Sequence, residues 1–535
     1  MPTVSEAILE QLRLWGVKRI YGVVGDAIFG WMDAIAKQNE IRFISVKHES
    51  VAAMMASAEA KCTGKLGVCA AQMGPGLANL LNGLGDAYLD GCPVLAITGQ
   101  APLSQIGTSY KQFINQQELV RALTGYTQLV VHPEAVMPAL STAIQTSMAM
   151  ETVSHLTLPA DLFTMPIRSR PYEPIVPSGG VPCRERVQQA LGIMRQAKRP
   201  MMLIGNQARP AAAEMMRLAE IWGCGIAFAY GAKGVVPDDF PFGLGGLGEG
   251  GNPYLPGRFR EADAVLAIGT SWWPESDTPS EARVIRIVRH EQELGIGIPA
   301  ECGLVGDIRK ILDQLAIPMQ RERSDPAWVL QIEQCKRTWE DQNEAEGKVP
   351  GFPLHPSRIV RAIEKRVSPD AIIALDEGDS TLWFLRNFRA KHQHVLLSGR
   401  WRTMGFGLPA AMASKFCYPD RQVLCLTGDG GLGMVMADLL TAARYRLPIA
   451  VIVFRNDTLQ MERNKMEKKG LRPEGTDIVN PDYVKLAESC GWDGLRVQSP
   501  EKLEEALQTS LTSVRPVLLD VPAAQAVYPG YPKTN

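Results

Sequence analysis

The sequence predicts an α/β protein of three doubly wound, Rossmann-like domains with parallel sheets, and three observations carry that expectation. One stretch reads as a complete βαβ unit, a second stretch far upstream repeats its pattern, and 535 residues are too many for one hydrophobic core. The boundaries expected from composition are 1–165, 183–340 and 355–527, separated by the proline-rich PIRSRPYEPIVPSGGVP and the polar EDQNEAEGKVPGFPLHPSR.

The βαβ unit is Val423–Thr458. Val423–Leu426 is an apolar run too short for anything but a buried strand, and Gly428-Asp429-Gly430-Gly431 supplies a turn whose backbone lets a ligand approach closely. Met436, Leu439, Leu440 and Ala443 recur at helical spacing, Pro448 marks the exit, and Ile449–Phe454 is the next strand. A turn at the carboxyl end of a parallel strand, opening a helix, is a place for phosphate, because free N–H groups and the helix dipole point there. Asp429 lies in the turn and Asn456 ends the following strand 27 positions on, so both side chains reach one sheet edge. With a backbone carbonyl near Thr458 and two phosphate oxygens they would make an octahedral Mg²⁺ site. The tetrapeptide alone would equally suit a surface turn.

The upstream copy begins at Ala52 as AAMMASAEAKCTGKLGVCAAQMGPGLANLLNGLGDAYLDGCPVLAITGQ, and the downstream copy at Pro409 as PAAMASKFCYPDRQVLCLTGDGGLG. Both run from an Ala/Met-rich helix through a strand, a glycine turn, a helix and a proline to another strand. Leu77, Leu80, Leu81, Leu84 and Tyr88 form one stripe of the upstream helix. The upstream turn, Gly74-Pro75-Gly76, carries no metal ligand, so the copies must differ in role. Between them, Met201–Ile204, Ala264–Ile268 and Val284–Arg289 read as strands, and GLGGLGEGGNP from Gly243 as either a nucleotide-bordering or a merely mobile loop.

Net charge of −1 gives no support to nucleic-acid binding. No apolar run approaches the ~18 residues a membrane span needs, and the amino-terminal stretch lacks the marks of a leader, so a cytoplasmic protein without a membrane anchor is expected. The ten cysteines are scattered without a CxxC pair; Cys69 and Cys425 sit in strand-like runs, as reduced core residues do.

GDGG, an intervening helix and a distant Asn resemble the binding signature of the thiamine diphosphate-dependent enzymes, and the resemblance covers nearly the whole chain in the order pyrimidine-binding, central and diphosphate-binding domain. It implies thiamine diphosphate held by Gly428, Asp429, Gly430 and Gly431, with Asp429, Asn456 and Thr458 on Mg²⁺. RFISVKHESVAAMMASAEAKCTGKLGV matches the segment carrying the family's catalytic acid, which makes Glu49 the group that engages the cofactor's pyrimidine ring from a buried position. His48 beside it is expected to pack rather than react. RTMGFGLPAA places Met404 as the wedge between the cofactor's rings, LDEGDSTLWF places Ser380 and Thr381 at the diphosphate, and GVKRIYGVVGDAIFGWMDAI adds Gly25. In this family the two ends of one cofactor belong to different subunits, which implies a homodimer or homotetramer with interfacial sites.

The nearest look is to pyruvate oxidases and quinone-linked pyruvate dehydrogenases, and next to acetolactate synthase. The first reading is therefore decarboxylation of a 2-oxo acid, pyruvate in the first instance, with oxidation of the resulting enamine; the alternative is carboligation, or another lyase reaction on an anionic 2-oxo acid. Gln112 in GTSYKQFINQQEL keeps a family position at the substrate, whereas Lys111 replaces an aromatic residue and either turns to solvent or recasts the pocket toward anions. Met461 matches the synthase pattern, and Lys465 replaces an acid of oxidases or a Trp of synthases. Val288 stands where flavin-binding relatives have an acid, which puts FAD in doubt, although Asp307 in GLVGDI matches a retained one. The tail VLLDVPAAQAVYPGYPKTN lacks the amphipathic segment of membrane-activated oxidases. A non-catalytic subunit of the same fold is the reading of another class; the presence of Glu49, Asp429 and Asn456 together speaks against it.

Overall fold

The computed structural model describes residues 1–175, 179–270, 277, 279–297, 299–319 and 325–529; the last residues of the tail and part of the proline-rich link lie outside them. Three six-stranded sheets, parallel throughout, organise the chain. The first contains β1 Arg19–Gly22, β2 Arg42–Ser45, β3 Gly67–Ala71, β4 Val94–Gln100, β5 Tyr126–Leu129 and β6 Val153–Pro159, in the order β2-β1-β3-β4-β6-β5. The second contains β7 Pro200–Ile204, β8 Gly225–Phe228, β9 Gly243–Gly246, β10 Ala264–Ile268, β11 Arg283–Val288 and β12 Cys302–Val305, in the order β12-β11-β10-β7-β8-β9. The third contains β13 Ile372–Leu375, β14 His394–Leu396, β15 Val423–Gly428, β16 Ala450–Arg455, β17 Asp493–Arg496 and β18 Val517–Pro522, in the order β14-β13-β15-β16-β18-β17.

The first and third sheets share one order, second-first-third-fourth-sixth-fifth, so the repeat seen in the sequence is a repeat of topology. The middle sheet reads third-second-first-fourth-fifth-sixth and is a different doubly wound solution. Central strands such as β3, β4 and β15 are buried on both faces, which is why they appear in the sequence as unbroken apolar runs.

The two Ala/Met-rich helices, Glu49–Thr63 and Gly407–Cys417, lie in one core shared by the first and third sheets. Their small side chains permit close approach: a Cβ on Gly83 of the neighbouring helix Pro75–Leu89 would stand 2.5 Å from Ala53. A buried lysine pins the same junction. Lys61 reaches Asp86 at 2.8 Å and Asp90 at 2.7 Å, donates to the Leu397 carbonyl at 3.0 Å and lies over the Phe406 ring.

Three expectations need correction. The polar stretch before residue 355 is no simple link, because the helix Pro326–Glu346 runs through its first part. Its polar residues are used in contacts: Arg386 and the Asn387 amide both donate to Glu346, and Asn387 also donates to the buried Asn343. The glycines from Gly243 begin as the buried edge strand β9 rather than a loop, and Gly245, at φ +87°, lies where a Cβ would meet the Trp339 ring at 2.5 Å. The stripe expected after Gly431 is broken: Met436 lies in a 3₁₀ turn, while Leu439, Leu440 and Ala443 share the helix Leu439–Arg444, and a separate helix Asp429–Val435 precedes both. Met434, Met436 and Leu440 are exposed there, an apolar patch on the surface of the single chain.

Candidate active site

At the carboxyl edge of the third sheet, the ends of β13, β15 and β16 open a cleft of about 600 Å³, its mouth included. Gly428, Asp429, Gly430 and Gly431 form one wall, Asn456, Thr458 and Met461 another, and Ser380 and Met404 close it. Every one of these residues was singled out in the sequence, and the fold gathers them at one place.

Asp429 is the buried centre of the cleft. Its Oδ2 accepts from the backbone N–H groups of Asn456 at 3.1 Å and Asp457 at 2.7 Å, and from the Asn480 amide at 2.8 Å, while Oδ1 takes one bond, from Gly430 at 3.0 Å. Burial pushes this carboxyl up and the four donors pull it back. Asn456 Oδ1 accepts only a long 3.3 Å bond from the Thr458 N–H. Gly430 leaves room here for the ends of the Leu459 and Met404 side chains, which a Cβ would meet at 2.7 and 3.2 Å.

A second carboxylate holds the opposite wall. Asp376, at the end of β13, accepts from the N–H groups of Gly405 at 2.7 Å and Glu377 at 2.8 Å and from Thr427 Oγ1 at 3.1 Å, which fixes the Met404 loop against β15. Burial pushes Asp376 up to about 6, and Glu377 and Asp379 up to about 7. Asp379 Oδ1 and Ser380 Oγ are buried without a hydrogen-bond partner among the described residues. Thr381 differs from its neighbour: its hydroxyl donates to the Asp376 carbonyl, and it does not line the cleft.

Glu49 is not in this cleft. It opens the helix Glu49–Thr63 after β2, half-buried, with Oε2 accepting from Asn79 at 2.9 Å and Oε1 3.5 Å from where a Cβ on Gly76 would stand. Next to it, Gln72 donates to Asp26 at 2.6 Å and to Gln112 Oε1 at 2.9 Å, and Lys111 donates to Asp26 at 2.6 Å. Gln112 is left-handed at φ +61°, and its carbonyl comes within 2.5 Å of where a Cβ on Gly74 would be. Gly25 packs likewise on Gln72. His48 is exposed and caps the helix by accepting from the Ser50 N–H, so it does not pack inside. Both unusual lysines have acid partners, Lys111 with Asp26 and Lys465 with Glu462 at 3.0 Å, so neither brings a bare positive charge.

The residues fit a diphosphate with a hard cation. Among the described residues no three His, Cys, Asp or Glu side chains converge, so a cation here would take one carboxylate, one amide oxygen and the Thr458 carbonyl, with the rest from phosphate and water. The Ser380 hydroxyl, without a partner among the described residues, is a donor such an anion needs. Asp26, Gln72, Asn79, Glu377, Asp379 and Asn480 escaped the sequence reading. Each acts through tertiary approach, which leaves no periodic mark; only the placement of Gln72 directly after a strand could have singled one out.

Comparisons with known proteins identify the domains. Residues 2–119 match the thiamine pyrophosphate enzyme amino-terminal TPP-binding domain, 187–315 the central domain, and 376–521 the carboxyl-terminal TPP-binding domain. The chain is 34% identical to "Putative thiamine pyrophosphate-containing protein YdaP" of Bacillus subtilis (strain 168), over 97% of this chain and 91% of that one. It is 30% identical to the pyruvate oxidase of Lactiplantibacillus plantarum, over 96% and 87%. It is also 30% identical to an acetolactate synthase large subunit of Parasynechococcus marenigrum, over 97% and 87%. With all three domain models in order and relatives spanning almost its full length, the chain belongs to the thiamine pyrophosphate enzyme family.

Proposed function

We propose that this enzyme decarboxylates a 2-oxo acid, pyruvate in the first instance, at a site built from two copies of the chain. One observation carries the reading: the cleft at Asp429 gathers the glycine turn, Asn456, Thr458 and Ser380 expected for the diphosphate and metal but lacks Glu49, which stands half-exposed on the first domain. A partner's third domain laid over Glu49 would complete the site and bury it. The exposed Met434, Met436 and Leu440 supply an apolar surface next to the cleft for that contact.

When bound, thiamine diphosphate supplies an electron sink for the pair left when the substrate loses CO₂. The chain's own residues then have separable tasks. Asp429, Asn456 and the Thr458 carbonyl would hold Mg²⁺ on the diphosphate, with Ser380 donating to a phosphate oxygen. Met404 and Met461 give the cleft its apolar wall. Glu49, oriented by Asn79, would hold the proton shared with the pyrimidine ring nitrogen. Gln112, its oxygen fixed by Gln72, has its NH₂ left to meet the substrate's carboxylate, with Lys111 held beside it by Asp26. The ten cysteines are free thiols, in keeping with a cytoplasmic setting.

Two fates remain for the electron pair, oxidation as in pyruvate oxidase or addition to a second 2-oxo acid as in acetolactate synthase. In the described central domain a cavity lined by Gln207, Arg289, His290 and Asp307 opens at the carboxyl edge of the sheet, but the acid that would hold an adenosine at the end of β11 is absent. Val288 ends β11 buried and apolar, Arg289 is tied to Glu151 of the first domain, and Asp307 Oδ1 is spent capping the next helix through the N–H groups of Arg309 at 3.0 Å and Lys310 at 3.3 Å. That favours carboligation, which needs no external electron acceptor. Purified protein with thiamine diphosphate, Mg²⁺ and pyruvate separates them. Flavin absorbance with dye reduction means oxidation; acetolactate without dye reduction means carboligation; no CO₂ release from pyruvate or from a panel of 2-oxo acids overturns the proposal.

A further inference from the structure

The metal-ligand carboxylate of Asp429 is unevenly used, and the unevenness identifies a residue so far without a role. Oδ2 receives three N–H donors, more than its two lone pairs accommodate at full strength, whereas Oδ1 receives one and keeps a lone pair free. Two of the donors to Oδ2 are backbone groups of the loop after β16, and the third is the side chain of Asn480. Asn480 is itself held on both sides. The same Nδ2 donates to Asp457 Oδ1 at 2.8 Å, and its Oδ1 accepts from the buried Tyr483 hydroxyl at 2.9 Å. Asp457 sits at φ +59°, in the left-handed region, on the turn between Asn456 and Thr458.

The segment before Asn480 runs alongside the same turn. Leu459 N–H donates to the Thr476 carbonyl at 2.7 Å, Thr458 Oγ1 to the same carbonyl at 3.1 Å, and Ile478 N–H to the Asp457 carbonyl at 3.2 Å. Residues 476–480 are thus a strap across the ligand loop, and Asn480 is where the strap grips the ligand carboxylate.

We propose that Asn480 is a positioning residue for the cation: by occupying Oδ2 it presents Asp429 to the metal through Oδ1 alone, while its grip on Asp457 fixes the turn that carries the Asn456 and Thr458 oxygens. The inference rests on the metal site proposed above. Partners of this kind, behind a metal ligand, are typically worth about 10–100-fold in metal affinity.

The test is Mn²⁺ binding to the full-length protein, followed by electron paramagnetic resonance and calorimetry with thiamine diphosphate present. Asn480→Leu keeps the γ-branched shape and removes the donor; Asn480→Ser, smaller and polar, serves if the first variant does not fold. Either is expected to weaken Mn²⁺ binding by about 10-fold or more, read on protein shown to be folded at the assay temperature by circular dichroism. Affinity within 2-fold of the parent, in a variant that folds, would overturn the proposal. Asp429→Asn tells the two layers apart. If it binds Mn²⁺ as the parent does, the metal site itself is wrong; if it loses Mn²⁺ while Asn480→Leu does not, only the role of Asn480 fails.

Discussion

Single residues divide here into those that meet a ligand and those that hold them. Glu49 should be the one whose loss removes turnover without disturbing the fold, because Asn79 touches only one of its oxygens and the amide of a Gln retains that contact. Glu49→Gln is expected to lower kcat by about 10²–10⁴-fold, with cofactor affinity far less affected, as measured by steady-state kinetics and cofactor titration. Asp379 offers a pH test. Burial pushes its carboxyl up to about 7, well above the ordinary carboxylate range, so the fold favours its neutral form. Its contribution to stability is complete below about pH 4 and is lost as pH rises to about 7. Asp379→Asn should raise the melting temperature at pH 8 relative to the parent and leave it nearly unchanged at pH 4; equal shifts at both would contradict this cause. Asp429, Asn456 and Glu49 were legible from spacing and resemblance, since chemistry fixes residue type at those positions. Asn480 and Gln72 were not, because an amide is chosen for what the folded chain brings near it.

Secondary elements were legible where burial alone dictates them. β10 and β15 stand out as apolar runs because parallel strands are covered on both faces. The helix Pro326–Glu346 was hidden in part, because Asn343 and Glu346 are buried or half-buried through hydrogen bonds and so look like linker residues. Glycine was misleading for a related reason: Gly245 makes room for Trp339 rather than for a ligand. Gly245→Val should therefore destabilise the protein by about 2–4 kcal/mol in denaturant titration, combining overpacking with a strained backbone. Lys61 makes a similar prediction between elements. Lys61→Met leaves the buried Asp86 without its cation and should cost about 3–5 kcal/mol, partly recovered when Asp86→Leu is added.

At the scale of the molecule, the duplication explains the division of labour. Two lobes of one topology diverged at their turns, one keeping Asp429 and Asn456 and the other Gly74-Pro75-Gly76 with Glu49 beside it. Within one chain the Ala/Met-rich helices of the lobes pack against each other, so this contact is already used, and the cleft at Asp429 forms without Glu49. The order of the domains was readable from the repeat, and the fold of the single chain leaves Glu49 outside the cleft at Asp429, as the family resemblance implied. The measurement that tests this most directly is complementation. Glu49→Gln and Asp429→Asn chains, each inactive alone, are co-expressed with different tags, and the mixed dimer is purified and assayed. If sites form between chains, one site of the pair has both intact halves, and the mixed dimer should show about half the parent activity. Activity no higher than that of either single variant would mean that each site is built within one chain, and the account would fall.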